Sequence, residues 1–472
     1  MVRVFDDHVS RDPEYPSTIP STGDSPEYLS LKKIFQHGSR QDSPMRDLEH
    51  STYASGNDTD DLRTSFAPPG PCYSVLKNNV STIEMEMTAH SWKDGTEEFV
   101  LHHVMADYIQ DSAIDNSVID SISFNTRVND VHKVGTSWQI GIDTLVDNDG
   151  RPEIVDTVKE FDAVVVASGH YHACNIPDIP GLRTWKQQFP NLVQHSKSYR
   201  SPEQFRDKNV LLIGAGVSSV DIAKDIGGVA RSVYQSSRGG PYDLPSHLLP
   251  DNGARIGGIK SFDAPGSSNI GAEDKIPATV TLQSGQQLCD IQAVIVCTGY
   301  HVSFPFMRQY HADGVHPEDA DELCLVTNGQ QTHNLHKEIF YIPDPTLAFI
   351  GVPYHVTTFS CFEFQAMALA SVFSGQVSLP VKKEMRGEYL ERIECKGAGR
   401  TFHSLKGLGD EIAYVNELVD LVNQGQSTQI ILGHTQSWHE AYLRRVARQK
   451  VLFGKVRDGE IEKANLDRIA SC

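Results

Sequence analysis

Spacing suited to gripping a phosphate occurs in the run Asn209-Val-Leu-Leu-Ile-Gly214-Ala-Gly216-Val-Ser218-Ser219-Val-Asp221-Ile-Ala-Lys-Asp-Ile. Four apolar residues lead straight into a glycine turn, as in a parallel strand buried on both faces. The turn opens a helical pattern with Val220, Ile222, Ala223 and Ile226 on one face. Gly214 permits the tight turn, and Gly216 lets backbone amides approach a pyrophosphate at the helix N-terminus. Ser219 replaces the third glycine, so the pattern is G-x-G-x-x-S, and Ser218 and Ser219 join the candidate contacts. A tight strand-to-helix turn in another α/β protein is the alternative. A second apolar stretch, Ala230 to Tyr234, ends in Gln235-Ser236-Ser237-Arg238, roughly 20 residues after the glycines, where a ribose-reading group belongs. An NAD site needs a carboxylate there. Ser237 and Arg238 suit a 2′-phosphate instead, because a guanidinium grips phosphate oxygens in bidentate fashion. NADP(H) is therefore expected, against the alternative that Arg238 is a solvated surface residue.

Other chemistries find little support. A net charge of −19 opposes nucleic acid and anionic membrane as partners. No apolar run approaches a transmembrane segment, and the N-terminus lacks a basic region followed by an apolar one. Eight cysteines lie scattered without a C-x-x-C pair, which fits reduced thiols in a cytoplasmic protein and excludes a vicinal-dithiol reductase. The histidines show no H-E-x-x-H or other zinc spacing, so His170/His172 and His333/His336 are incidental pairs and no metal is expected. No Ser-His-Asp set or paired carboxylates emerge either.

The length of 472 residues suffices for two or three domains. Residues 1 to 6 read as a strand ending in Asp6. From Asp7 to Pro71 the chain is rich in Asp, Ser, Pro and Gly and reads mostly as loop, with a short helix near Tyr28 to Phe35. Phe99 to Ile109 has helical spacing. Ser117 to Gly141 alternates like antiparallel strands, and a turn at Asp147 to Gly150 leads to another. Phe161 to His170 is a buried strand ending in Ser168-Gly169, and its expected partner is Ile291 to Tyr300, with Thr298-Gly299 at its end. These units flank the Gly214 unit, so the fold expected is α/β with one dinucleotide-binding domain inserted in another, the strand ends serving as hinges. The divisions are 1–199 for the first part of the outer domain, 200–299 for the insert and 300–472 for the rest. A strand at Leu347 to Val352, a helix at Phe362 to Phe373 and helices at Ile412 to Val422 and Ser437 to Val451 complete the outline.

With these pieces placed, the chain resembles the flavin-containing monooxygenase family over residues 73 to 425. The family's F-x-G-x-x-x-H-x-x-x-[Y/F] stands as Phe189-Pro-Asn191-Leu-Val-Gln-His195-Ser-Lys-Ser-Tyr199, with Asn191 in the glycine position. Tyr199 points to oxidation at nitrogen or sulfur, since the related Baeyer–Villiger enzymes usually carry Trp there. Tyr199-Arg200-Ser-Pro202, Phe205, the Gly214 turn, Val296 to Tyr300, Phe304-Pro305-Phe306, Leu347 to Gly351, Glu363 to Ala366 and Leu379-Pro380 match in order. The family's Tyr-x-x-Leu-x-Thr-Asn resembles Tyr73 to Asn79, which puts Asn79 beside the flavin and Asn78 in the threonine position.

The resemblance implies two nested Rossmann-like domains, of FAD type and NADP type. NADPH reduces FAD, reduced FAD takes up O2 as a C4a-hydroperoxide, and one oxygen passes to a small-molecule substrate. Asn79 is then the catalytic candidate. Thr298 and Gly299 join Gly214, Gly216, Ser218, Ser219, Ser237 and Arg238 as cofactor-binding candidates. His195 shapes a domain contact rather than carrying a proton. Asp6 takes the acidic position that reads the FAD ribose. The chain departs from the family at its front: a first G-x-G-x-x-G and a Gly-Gly-x-Trp segment are not found, so the FAD pyrophosphate lacks its expected anchor. Two alternatives stay open, a Baeyer–Villiger-type oxygenase and a truncated NADP-binding protein without flavin or oxygenase activity.

Overall fold

The computed structural model describes residues 58–149, 151–264, 276 and 278–453. Asp6, the strand at 1–6 and the helix near 28–35 lie outside the described residues. The described chain begins with helix α1 (Asp58–Phe66), the single turn α2 (Thr82–Met85) and helix α3 (His102–Asp115). Three antiparallel strands follow, β1 (Thr126–Val134), β2 (Ser137–Asn148) and β3 (Arg151–Phe161). Strand pairing starts at Thr126 rather than near Ser117, because a 3-10 turn at Ile119–Ser121 intervenes. Alternation in β2 turns Trp138, Ile140 and Ile142 into a core shared with the outer sheet.

The next elements are β4 (Val164–Val166), β5 (Ala173–Cys174), α4 (Leu182–Gln188), β6 (Val193–His195), β7 (Asn209–Ile213) and α5 (Val217–Gly227). They are followed by β8 (Ser232–Ser236), β9 (Gly253–Ile256), β10 (Ile259–Phe262), β11 (Val280–Leu282), β12 (Gln287–Leu288), β13 (Ala293–Val296) and β14 (Tyr300–His301). An all-parallel inner sheet runs β6-β13-β7-β8-β9. Its central strands are apolar without interruption because both faces are covered. Leu211, Ile213, Val294 and Val296 enter one core, while Val210, Leu212, Ala293 and Ile295 enter the other with Ile222, Ala223 and Ile226 of α5.

The remaining elements are β15 (Leu335–His336), β16 (Phe340–Tyr341), β17 (Leu347–Phe349) and helices α6 (Phe359–Phe373), α7 (Lys382–Lys396), α8 (Asp410–Asn423) and α9 (Gln436–Phe453). The outer sheet runs β15-β16-β17-β4, with β17 parallel to β4. Ala348 faces the core filled by α6 and α8, whereas Leu347 and Phe349 face the core filled by β1 and β2.

Two expectations change. β13 does not partner the strand at Phe161 to His170; it lies between β6 and β7, and β4 pairs with β17. A strand buried on both faces needs the middle of a parallel sheet, and β13 finds it beside the glycine-turn strand. The inner sheet also takes Val193–His195 as an edge, upstream of the expected start at residue 200. The connection between the sheets is the short antiparallel pair β5–β14, where the Asn175 amide donates to Gly299 O at 2.8 Å and the Thr298 hydroxyl to Asn175 O. No helix among the described residues is long and apolar enough to cross a membrane.

Candidate functional site

The ends of β7, β8 and β13, the ends of β4 and β17 and the start of α6 open on one cavity of about 4630 Å³, lined by described residues from both sheets. That is several times the volume of a usual small-molecule pocket. At its inner side Gly214 has φ +104°, and an added Cβ would stand 2.6 Å from Cys297 O, so strand and turn cross too closely for a side chain. Gly216 caps α5 without a side-chain partner, leaving the first amides of the helix for a ligand, and Ser218 is exposed beside them.

Ser219 corrects the expectation that it touches the cofactor. It is fully buried, and its hydroxyl accepts from Gln235 Nε2 at 2.7 Å. Gln235 Oε1 in turn accepts from Arg255 Nε at 2.8 Å, and Arg255 donates to Leu244 O at 2.7 Å. The position where the usual fingerprint keeps helix and strand close with a glycine is thus filled by a hydrogen-bonded pair. Burial pushes the neighbouring Cys297 thiol up to about 12, so it stays protonated.

At the end of β8 the Ser237 hydroxyl donates to Asp243 and accepts from the Gly239 amide at 2.9 Å, while the Gly240 amide donates to Asp243 Oδ2 at 3.1 Å. These donors converge on an anion. Arg238 lies exposed on the same rim, its stem packed over Gly258, with no ion pair among the described residues.

The outer side carries Asn79. Its neighbour Asn78 uses its whole amide locally, donating to Val80 O at 2.7 Å and Glu98 O at 2.8 Å and accepting from the Val100 amide at 2.6 Å. Asn79 is exposed to the cavity with no side-chain hydrogen bond among the described residues. Thr358, which lines the same cavity, sits before α6 at φ +48°, and its Oγ1 is buried without a partner among the described residues. A non-glycine residue in that region costs energy that the surrounding packing must hold. Sequence reasoning missed Thr358, because no local pattern announces a strained residue that tertiary packing imposes. Gly351, at the end of β17, donates its amide to Gln365 Oε1 at 2.9 Å, and Gln365 donates to Tyr414 Oη at 2.7 Å.

His195 and Tyr199 lie buried where the inner unit meets the outer. His195 is fully buried; its Nδ1 accepts from the Lys197 amide at 3.1 Å, which leaves Nε2–H to donate to Gly299 O at 3.2 Å. Burial lowers its pKa to about 3, so the imidazole is neutral. Tyr199 is buried against Tyr73 in an edge contact at 5.4 Å and donates to Asp225 on α5. Together these residues brace the inner unit where it joins the outer. Among the described residues no group of three His, Cys, Asp or Glu side chains could hold a metal, and the described cysteines are free thiols.

The fold agrees with that of the solved structures the chain resembles. The family model of flavin-binding monooxygenase-like proteins matches residues 67–249 and 273–435. The flavin-containing monooxygenase ustF2 of Aspergillus flavus is 41% identical over 95% of this chain and 86% of its own length. The trimethylamine monooxygenase of a Roseovarius strain is 27% identical over 74% of this chain and 71% of its own length. Among solved structures, Tmm from a Pelagibacter strain superposes with a TM-score of 0.62 at 21% identity, covering 81% of this chain and 77% of that one. The S-allyl-L-cysteine S-oxygenase of Allium sativum superposes with a TM-score of 0.59 at 22% identity, covering 85% of each chain.

Proposed function

Because the chain belongs to the flavin-binding monooxygenase-like family, we propose that it transfers one oxygen atom from O2 to a nitrogen or sulfur centre of a small molecule. It is an FAD-dependent monooxygenase that draws on NADPH. The observation that carries the reading is the single cavity shared by the Gly214 turn, Arg238, Asn79 and Thr358, which brings a nucleotide cradle and a flavin-side wall together.

The residues present fit NADPH. Free amides at the start of α5 suit its diphosphate, and Ser237 and Arg238 suit its 2′-phosphate. Asp243 already takes the Ser237 hydroxyl and the Gly240 amide, so Arg238 is the group left to bind that phosphate and Ser237 reaches it only if it turns away from Asp243. Thr298 and Gly299 border the turn. On the flavin side, the unpartnered Thr358 hydroxyl and the uncapped start of α6 suit an acceptor-rich ring edge, and Asn79 lines the same cavity. The strand–glycine–helix turn at Gly214 suits a pyrophosphate. FAD, when bound, would supply the redox and oxygen chemistry. The protein's own part is to orient the nicotinamide nucleotide through Gly216 and Arg238 and to offer hydrogen bonds from Asn79 and Thr358. The inner sheet with its flanking helix forms an NADP-binding unit nested in the outer one, with the β5–β14 pair as hinge. Free thiols suit a cytoplasmic protein.

Oxidation at nitrogen or sulfur is favoured over ketone oxygenation by Tyr199 and by the likeness to a trimethylamine monooxygenase. Purified enzyme should be yellow, absorb near ~450 nm as flavoproteins do, and consume NADPH with a tertiary amine or a sulfide to give N-oxide or sulfoxide. Lactone from a cyclic ketone with no heteroatom product would move it to the Baeyer–Villiger class. A colourless protein that retains NADP+ would sink the oxygenase reading.

A further inference from the structure

The stretch Lys396-Gly-Ala-Gly-Arg400-Thr-Phe-His-Ser-Leu-Lys406 holds three cations and no carboxylate in a chain of net charge −19. It belongs to the outer half yet lies against the inner one. The Arg400 guanidinium carbon is 5.6 Å from the Tyr242 ring centre, and an added Cβ on Gly299 would stand 2.7 Å from Arg400 Nη2. The Tyr354 hydroxyl donates to the Arg400 carbonyl and lies 3.0 Å from the Tyr242 hydroxyl, fastening the backbone at 400 to the inner unit. Lys406 donates to Pro241 O at 3.2 Å and secures the same junction.

This junction borders the glycine turn. Tyr242 O would lie 3.8 Å from a Cβ on Gly216, and Gly214 abuts Cys297 O, two residues before Gly299. Arg400 therefore stands on the residue that follows the wall of the turn, with its guanidinium on the cavity and no hydrogen bond or ion pair among the described residues. Its charge reaches inward, for it helps burial hold His301 below the ordinary histidine range. Arg238 is at the far end of β8, beside the 2′-phosphate position, so the two arginines address different parts of a dinucleotide.

We infer that Arg400 is a positioning residue contributed by the outer half to the diphosphate of NADP(H), so that the nucleotide is gripped from both sides of the hinge. The inference rests on the NADPH reading of the Gly214 turn. A guanidinium placed there gives charge-assisted, two-pronged hydrogen bonds that an ammonium reproduces only in part.

The test measures equilibrium binding of NADP+ and of adenosine 2′-monophosphate, which lacks the diphosphate, to the purified full-length wild type, R400Q and R400K. The expected result is an NADP+ dissociation constant about tenfold higher in R400Q, a smaller rise in R400K, and unchanged binding of adenosine 2′-monophosphate. Unchanged NADP+ binding in R400Q overturns the inference. So does a parallel loss of both nucleotides, which would mark a general structural effect. A wild-type enzyme that binds neither nucleotide overturns the NADPH reading itself.

Discussion

Replacing Gly214 and Gly216 by alanine, one at a time, separates what the turn does for the fold from what it does for the ligand. At Gly214 the backbone lies at φ +104°, where a Cβ-bearing residue costs roughly 1–2 kcal/mol. The new methyl would also stand 2.6 Å from Cys297 O, about 0.8 Å inside ordinary contact. That oxygen cannot simply step aside, because the Cys297 amide donates to Ile213 O at 2.8 Å in the inner sheet. Forcing such an overlap in packed backbone adds about 1–3 kcal/mol. Gly214→Ala should therefore lose roughly 2–5 kcal/mol of stability. Gly216 has φ −81°, and its nearest new neighbour would be Tyr242 O at 3.8 Å. Gly216→Ala should change stability by less than about 0.5 kcal/mol. Its methyl nevertheless stands where the diphosphate approaches, so NADP+ should bind at least about tenfold more weakly. Urea unfolding midpoints and fluorescence titration with NADP+ read the two effects separately. A Gly214→Ala protein as stable as wild type, or a Gly216→Ala protein with undiminished affinity, would refute the reasoning.

Three further outcomes are expected. Arg238→Gln should weaken NADP+ by about 1.5–3 kcal/mol while leaving NAD+ nearly untouched, and calorimetry with both nucleotides checks it. His195 has a folded pKa near 3 against an ordinary 6.5, so below pH 6.5 the unfolded chain takes up a proton that the folded one refuses. Stability should thus fall as the pH drops from 6.5 toward 3, by up to about 1.4 kcal/mol per pH unit from this residue alone. Urea midpoints for His195→Asn should decline less steeply over that range than those of wild type; equal slopes contradict the assignment. Arg445 on α9 donates to the fully buried Glu84 at 2.8 Å and stands 3.9 Å from Glu411, whose other oxygen accepts from the Thr357 amide at 2.8 Å. Arg445→Met should cost about 3–5 kcal/mol in denaturant unfolding, part of it regained by adding Glu84→Gln, because removing one partner strands a buried charge.

Features written in consecutive residues are legible in the amino-acid sequence itself. The apolar run of β7, its glycine turn and the helix face of α5 lie within one stretch, and their spacing reflects burial on both faces of one strand. The exposed arginine after β8 is legible for the same reason. Placement of β13 is not, since an apolar strand declares that it is buried but not which strand lies beside it; packing against β6 and β7 makes that choice. Ser219 reads as a ligand contact from its place in the turn, yet the side chain of Gln235, from a different strand, holds its hydroxyl. Thr358 and Arg400 carry no local signature at all. Their surroundings come from a backbone angle and from neighbours distant in sequence, Tyr242 and Gly299 beside Arg400, and both exist only once distant segments are brought together, since local periodicity records which faces are covered while long-range contact decides what covers them.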